Sequence, residues 1–173
     1  MVDSGTEDFY FRLRTELIIA IYSDDVLAEK LVLKGGNALN VIHRIGSRTS
    51  LDLDCSMAGD LDDAETIEAR LFQAIRERMQ PLGLVVFDEN FGPRPQNRAE
   101  LADPRWGGYS AQFKLTDKTS LANAGADLSP VRRSARTVEP DPQSGRIFHI
   151  ELSSFDSARY SGILPRRDRK SVV

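Results

Sequence analysis

The spacing of apolar residues along the chain predicts alternating helices and strands. Apolar side chains recur every three or four positions in residues 9–22 and again in residues 61–79, which is the spacing of an amphipathic helix. Between these two helices, the apolar run at residues 31–33 ends at a pair of glycines, and a short apolar helix pattern follows. The sequence therefore predicts a strand, a glycine turn and a short helix between the two longer helices.

A strict alternation of apolar and polar residues over residues 50–57 predicts a half-buried strand. The apolar face of this strand comprises Leu51, Leu53, Cys55 and Met57, and its polar face comprises Ser50, Asp52, Asp54 and Ser56. Packing of the apolar face against a core leaves the polar face available for chemistry. Cys55 is expected to be an inert core residue.

The second half of the chain contains three β-rich runs, at residues 84–87, 109–115 and 147–153. Two polar stretches, residues 91–108 and 116–145, separate these runs and exceed ordinary loop lengths. We therefore predict two long loops. The fold class predicted from the whole pattern is α/β (α+β), with one mixed sheet and flanking helices.

Length and composition restrict the class of protein. A chain of 173 residues with 40% hydrophobic and 28% charged residues fits one folded domain rather than a disordered or fibrous protein. The single cysteine cannot form an internal disulfide, and there is neither a signal peptide pattern nor a long apolar run. We expect a cytoplasmic protein that does not contact a membrane.

Charge is distributed unevenly along the chain. Up to Glu89 there are 17 acidic and 9 basic residues, and after it there are 9 acidic and 14 basic ones, although the net charge is only −3. Clustered carboxylates suit metal ions and a basic half suits phosphates, whereas opposed charge blocks are also common on ordinary solvated surfaces. Charge alone leaves both interpretations open.

The two aspartates of the predicted strand form the core of a candidate metal site. Asp52 and Asp54 point the same way with Cα atoms about 6.6 Å apart, so their carboxylates can converge on a pair of divalent cations. Glu151 lies on the polar face of the last predicted strand and offers a third carboxylate. Upstream, the glycine turn that enters a helix presents free backbone N–H groups, which suit a phosphate. Each of these features alone is also common in ordinary surface positions.

Together, these segments resemble a known family. A glycine pair, then a helix, then a strand with an Asp-x-Asp motif is the arrangement found in polymerase β-like nucleotidyltransferases. The sequences LKGGNAL at residues 33–39 and RTSLDLD at residues 48–54 resemble the AbiEii/AbiGii toxin branch of that superfamily. VRRSA at residues 131–135 and HIELSSF at residues 149–155 are similar to that branch as well, so the resemblance spans most of residues 31–160.

The resemblance implies a role for each matching residue. Asp52 and Asp54 would bind two Mg²⁺ or Mn²⁺ ions, and Glu151 would share one ion and help to deprotonate an acceptor hydroxyl. The residues implied in nucleoside triphosphate binding are Lys34, Gly35, Gly36, Asn37, Arg48 and Ser50. Asn37 departs from the threonine or serine expected after the glycines, which leaves nucleotide preference open.

The implied activity is nucleotidyl transfer by the toxin of a toxin–antitoxin or abortive-infection pair. A nucleoside monophosphate would pass from its triphosphate to an RNA acceptor such as tRNA, and an antitoxin protein would be the partner. The rival hypothesis is a catalytically incomplete nucleotide- or RNA-binding module. A third hypothesis keeps the chemistry but makes the acceptor a small-molecule or protein hydroxyl.

Two further features have both a functional and a structural interpretation. The cluster Arg132, Arg133 and Arg136 would bind RNA phosphates, or would only keep a loop soluble. His149 shares the predicted face of Glu151 and would contact nucleotide or acceptor, or would be a hydrogen-bonded structural histidine.

The end of the chain has an unusual coding pattern. Asp168 to Val173 back-translate to GAT CGG AAG AGC GTC GTG, which is the sequence of a common short-read DNA sequencing adapter. We therefore expect residues 1–167 to form a truncated catalytic domain and residues 168–173 to be a non-native tail. The resemblance implies a further helical half after about Arg166, and we expect the fragment without it to have doubtful activity.

Overall fold

The computed structural model describes residues 4–34, 52–58, 63–96, 107–139, 141 and 143–154. Its helices are α1 (Ser4–Ser23), α2 (Asp25–Lys30), α3 (Ala64–Met79), α4 (Lys118–Asn123) and α5 (Ser129–Ser134). Its strands are β1 (Leu31–Leu33), β2 (Leu53–Met57), β3 (Leu84–Arg94), β4 (Gly108–Asp117) and β5 (Phe148–Ser154). A 3₁₀ turn, Gln80–Leu82, connects α3 to β3.

The described strands form one five-stranded sheet in the order β1-β2-β5-β4-β3. Strands β2 and β5 are parallel, and the other neighbouring pairs are antiparallel. Parallel neighbours need a long crossover, and here residues 58–147 separate the two strands in sequence. The predicted fold class, a mixed sheet with flanking helices, is confirmed.

One face of the sheet is covered by α1 and α3 and forms the main core. The predicted alternation in β2 is present, because Leu53, Cys55 and Met57 are fully buried while Asp54 between them is exposed. The same alternation in β5 buries its apolar residues. Burial raises the pKa of the Cys55 thiol to about 12, so this cysteine stays protonated and unreactive at neutral pH.

Side-chain caps explain where the helices begin. The Asp24 carboxylate accepts hydrogen bonds from the first backbone N–H groups of α2, and Asp63 accepts one from Thr66 at the start of α3. Asp117 does the same for α4 through Ser120. Short polar side chains at these positions satisfy backbone donors that have no partner within the helix.

The prediction of two long loops is partly wrong, because both stretches contain regular secondary structure. Strand β3 continues through residue 94 rather than ending near residue 87, and a bulge after Phe87 places Asp88 at a φ of 51°. The continuation pairs with β4, where Phe91 stacks on Tyr109 with ring centroids 5.2 Å apart. Several of its residues are polar and exposed, so the stretch has the composition of a loop although it is a strand.

The second predicted loop contains the short helices α4 and α5, and α2 is a further element that the sequence pattern did not predict. Phe87 packs with Val131 and Ala135 on the sheet face opposite the main core. The two short helices therefore cover part of this second face. We call the second face, which carries Asp54, Glu151 and their in-register neighbours, the open face.

Candidate functional site

Some of the predicted site residues lie within the described part of the chain and some do not. Lys34, Asp52, Asp54, Glu151 and the three arginines of residues 132–136 are described. The predicted nucleotide-binding residues Gly35, Gly36, Asn37, Arg48 and Ser50 lie outside the described residues. The described part of the site therefore comprises residues of strands β1 to β5 and their ends.

Asp54 and Glu151 are direct register partners on the parallel strands β2 and β5. Partners on neighbouring strands share a face and lie about 4.8 Å apart in the hydrogen-bonding direction. The buried residues before and after each of them show that this shared face is the open face. The fold thus brings together two carboxylates that are 97 residues apart in the sequence.

Asp52 and His149 are the neighbours of Asp54 and Glu151 in the alternation along their strands. Asp52 immediately precedes β2, is exposed, and is two residues before Asp54, so it follows the same alternation. His149 is partly buried two residues before Glu151 and pairs in register with Gln112 of β4. The predicted placement of these side chains on one side of one sheet agrees with the backbone.

The side chains are not arranged around a common point. Among the residues that the structure describes, no three His, Cys, Asp or Glu side chains lie close enough together to hold a metal ion. The Glu151 carboxylate instead forms an ion pair with the guanidinium of Arg94, at the end of β3. The backbone register therefore places Glu151 beside Asp54, whereas its carboxylate is paired with Arg94.

Lys34 links the beginning of the site to β5. Its backbone N–H donates to the Asp54 carbonyl at 2.8 Å, which continues the β1–β2 pairing by one residue. Its ammonium group donates to the Ser153 hydroxyl. The Lys34 ammonium thus lies at Ser153, two residues along β5 from Glu151, and just before the glycine pair in sequence.

Two residues that sequence reasoning missed stand beside Glu151. Ser110 of β4 is its register partner, is only 9% exposed, and has a hydroxyl with no hydrogen-bond partner among the described residues. The polar alternation of Ser110, Gln112 and Lys114 could have indicated its face. Arg94 gave no signal, because it falls in a stretch whose composition predicts a loop.

The comparison with protein families is decisive for the identity of the fold. Residues 17–141 match the family described as "Nucleotidyl transferase AbiEii toxin, Type IV TA system". The chain belongs to this AbiEii family. No curated protein and no solved structure matches the chain. The resemblance noted from the sequence is confirmed, and membership places the protein among nucleotidyltransferase toxins of type IV toxin–antitoxin systems.

The family match covers some of the site residues of this AbiEii-family chain but not Glu151. Lys34, Asp52 and Asp54 lie inside residues 17–141, as do the missed residues Arg94 and Ser110, while Glu151 lies after them. Register with Asp54 is therefore the independent observation that connects Glu151 to the site.

The arginine cluster of the AbiEii-family chain makes contacts within the protein. Arg132 donates two hydrogen bonds to the Asp88 carboxylate, at 2.7 and 2.8 Å, and Lys114 adds a third at 3.0 Å. The hydrogen bonds from Arg132 and then Lys114 outweigh the burial of Asp88 and lower its pKa to about 2. Arg136 lies 5.7 Å from the centroid of the Phe9 ring, and Arg133 is exposed.

The three arginines therefore differ in their contacts. All three side chains are exposed, but Arg132 pairs with Asp88 in the β3 bulge and Arg136 lies over Phe9, so we take Arg133 as the candidate for a phosphate contact. None of the helices that the structure describes is long and apolar enough to cross a membrane.

Proposed function

We propose that this protein is a metal-dependent nucleotidyltransferase that transfers a nucleoside monophosphate from its triphosphate to an RNA acceptor of the tRNA kind. It would act as the cytoplasmic toxin of a pair with an antitoxin protein. The observation that carries the proposal is the in-register pairing of Asp54 and Glu151 on the open face. Membership in the AbiEii family supports the reaction class.

The residues beside Glu151 fit a divalent cation in chemistry and register. Carboxylate oxygens are the donors that Mg²⁺ and Mn²⁺ prefer, and Asp52, Asp54 and Glu151 offer them on one face. The buried Ser110 hydroxyl, without a partner among the described residues, supplies a further oxygen beside them. We propose that the three acids hold two such ions. When bound, the ions would stabilise charge on the reacting phosphate and make the attacking hydroxyl more acidic.

The chain's own groups would bind the triphosphate and move the proton. Lys34, already held next to Asp54, would neutralise phosphate charge together with the proposed contacts at Gly35, Gly36, Asn37, Arg48 and Ser50. The acceptor oxygen bonds to the α-phosphorus while the bond to pyrophosphate breaks, and pyrophosphate leaves. The acceptor's proton passes to the Glu151 carboxylate. Arg133 would contribute a phosphate contact to the RNA.

A second function is favoured by one observation. Because Glu151 is paired with Arg94 and no three acidic or metal-binding side chains are gathered in the described residues, the same face also suits a nucleotide- or RNA-binding module without turnover. Such a module would bind a triphosphate and RNA but release the triphosphate unchanged.

Transfer of label from an α-³²P-labelled nucleoside triphosphate to purified tRNA tests the proposal. We would measure it for this chain with each of the four common nucleoside triphosphates. Transfer should require Mg²⁺ or Mn²⁺, and D54N should reduce it at least a hundredfold because the amide loses the charge that attracts the cation.

Asp8→Asn is the matched control, since Asp8 is an exposed aspartate of α1 and lies outside the site. This variant should transfer label as well as the unchanged protein. Transfer that survives in D54N would refute the metal assignment. Triphosphate binding without transfer would favour the binding module.

A further inference from the structure

The ion pair between Arg94 and Glu151 connects the edge strand β3 to the acidic residues at the centre of the sheet. The Arg94 side chain is 59% exposed and that of Glu151 is 43% exposed. An exposed pair of this kind is weak, because water solvates both charges and the two side chains lose conformational freedom when they pair. Another cation can therefore replace Arg94 at Glu151 without a large loss of stability.

Strand β4 lies between Arg94 and Glu151, and it has a glycine at the position that the arginine side chain crosses. Gly108 is the register partner of Arg94 on one side and of Ser153 on the other, and it has no side chain to obstruct the arginine. A Cβ atom at Gly108 would lie 1.8 Å from the Leu152 carbonyl oxygen, so only glycine fits. The arginine thus reaches over β4 at the position where the sheet requires a glycine.

Glu151 has a different neighbour on each side. Asp54 lies beside it on β2 and Ser110 on β4, while Arg94 comes from beyond Ser110. A divalent cation shared by Asp54 and Glu151 would need the same carboxylate that Arg94 now binds. Two positive groups at one carboxylate weaken each other's binding, because they share its negative charge and repel each other.

We propose that Arg94 is a positioning residue that binds Glu151 in the cation-free protein and is displaced when a divalent cation binds. The inference rests on the proposed function. Once released, the exposed guanidinium stays on the open face, next to carboxylates that would hold a cation–triphosphate complex, and it binds the phosphates. Arg94 thereby couples the binding of cation to the binding of nucleotide.

This exchange predicts that R94Q changes two affinities in opposite directions. With no nucleotide present, Mn²⁺ should bind R94Q about two- to fivefold more tightly than the unchanged protein, because its competitor is gone. With Mn²⁺ saturating, a non-hydrolysable α,β-methylene triphosphate should bind R94Q about tenfold more weakly, because a charge-assisted phosphate contact is lost. Electron paramagnetic resonance of free Mn²⁺ measures the first affinity, and calorimetry measures the second.

Arg76→Gln is the matched control. Arg76 is 49% exposed and pairs with Glu89, so R76Q also removes an exposed arginine–glutamate pair, but on α3 and outside the open-face site. R76Q should change neither affinity. A purely structural role for Arg94 would lower both affinities together or leave both unchanged, and either result would overturn the inference.

Measurements on D54N separate the inference from the function on which it rests. Loss of Mn²⁺ binding in D54N, with unchanged Mn²⁺ affinity in R94Q, would refute the role of Arg94 while supporting the cation site. Undiminished Mn²⁺ binding in D54N would refute the cation site and the inference together. Loss of binding in D54N with opposite shifts in R94Q would support both.

Discussion

The two faces of the sheet use the same strands in opposite ways. On the core face, the side chains of β2, β4 and β5 are apolar and almost fully buried against α1 and α3. On the open face, the intervening residues are charged or polar and pair with each other across strands, as Arg94 does with Glu151 and Lys114 with Asp88. Alternate residues along a strand therefore have different roles. Those on the core face stabilise the fold, and those on the open face are available for chemistry.

This difference has an energetic consequence. Core residues stabilise the fold by several kcal/mol each, because they remove apolar surface from water and pack closely. Exposed ion pairs contribute about 0–1 kcal/mol each. Side chains on the open face are thus free to exchange partners, which a nucleotidyltransferase site requires, and the fold persists because its stability comes from the other face.

The largest effect is expected from breaking the core face at Phe113. This residue is fully buried, stacks on Phe148 with centroids 5.4 Å apart, and contacts Phe72 edge-on at 6.5 Å. Phe113→Ala should lower the free energy of unfolding by about 3–5 kcal/mol, measured by urea denaturation. Gln112, the preceding residue on the open face, is the control.

Gln112→Ala should cost about 0.5 kcal/mol or less, because a partly exposed polar side chain buries little apolar surface. Equal losses in F113A and Q112A would show that the two faces contribute alike, contrary to the comparison.

The next largest effect is expected at Gly108, where a side chain on β4 would meet the backbone of β5. Gly108→Ala would bring the new Cβ to 1.8 Å from the Leu152 carbonyl oxygen, and a backbone atom cannot move aside without disturbing the sheet. We expect a loss of about 3 kcal/mol in unfolding free energy by urea denaturation.

Gly92 provides the matched substitution on the neighbouring strand β3. No heavy atom of the described residues lies within 4 Å of a Cβ built there, and its φ is not positive, so G92A should change stability by well under about 1 kcal/mol. A G108A protein as stable as G92A would mean that β4 and β5 are not this close in solution.

The sequence predicted the core face better than the open face. Alternation at residues 50–57 and 147–153 correctly placed Leu53, Cys55 and the apolar residues of β5 in the core, because burial of apolar surface dictates that pattern locally. It also placed Asp54 and Glu151 on one face, although their direct pairing depends on a parallel register that no local pattern encodes.

The part of the site that could not be predicted depends on contacts between distant residues. Arg94 lies in a stretch whose polar composition resembles a loop, and only its pairing with β4 makes it a strand residue that reaches Glu151. Arg132 belongs to the cluster predicted to bind RNA, and no sequence pattern indicates its pairing with Asp88, which is 44 residues away in a bulge. Local periodicity carries no information on such pairings.

The smallest effect tests whether ion pairs on the open face matter for stability at all, and Asp88 is the best place to measure it. Its contacts with Arg132 and Lys114 lower its pKa from an ordinary value of 3.8 to about 2. Between these values the unfolded chain binds more protons than the folded one, so the stabilisation is present above about pH 4 and is lost as pH falls to about 2.

Asp88→Asn removes this charge and keeps the backbone, because asparagine tolerates the positive φ of 51° as aspartate does. Since Arg132 is 48% exposed and water screens the pair, the contribution should be only about 1 kcal/mol rather than the full value of the pKa shift. D88N should therefore be less stable by about that amount at pH 7, and urea denaturation from pH 7 to 2 should show the two proteins converging. A constant difference down to pH 2 would mean that Asp88 stabilises the bulge through hydrogen bonds that do not depend on its charge, and the ion pairs themselves would then contribute nothing measurable to stability.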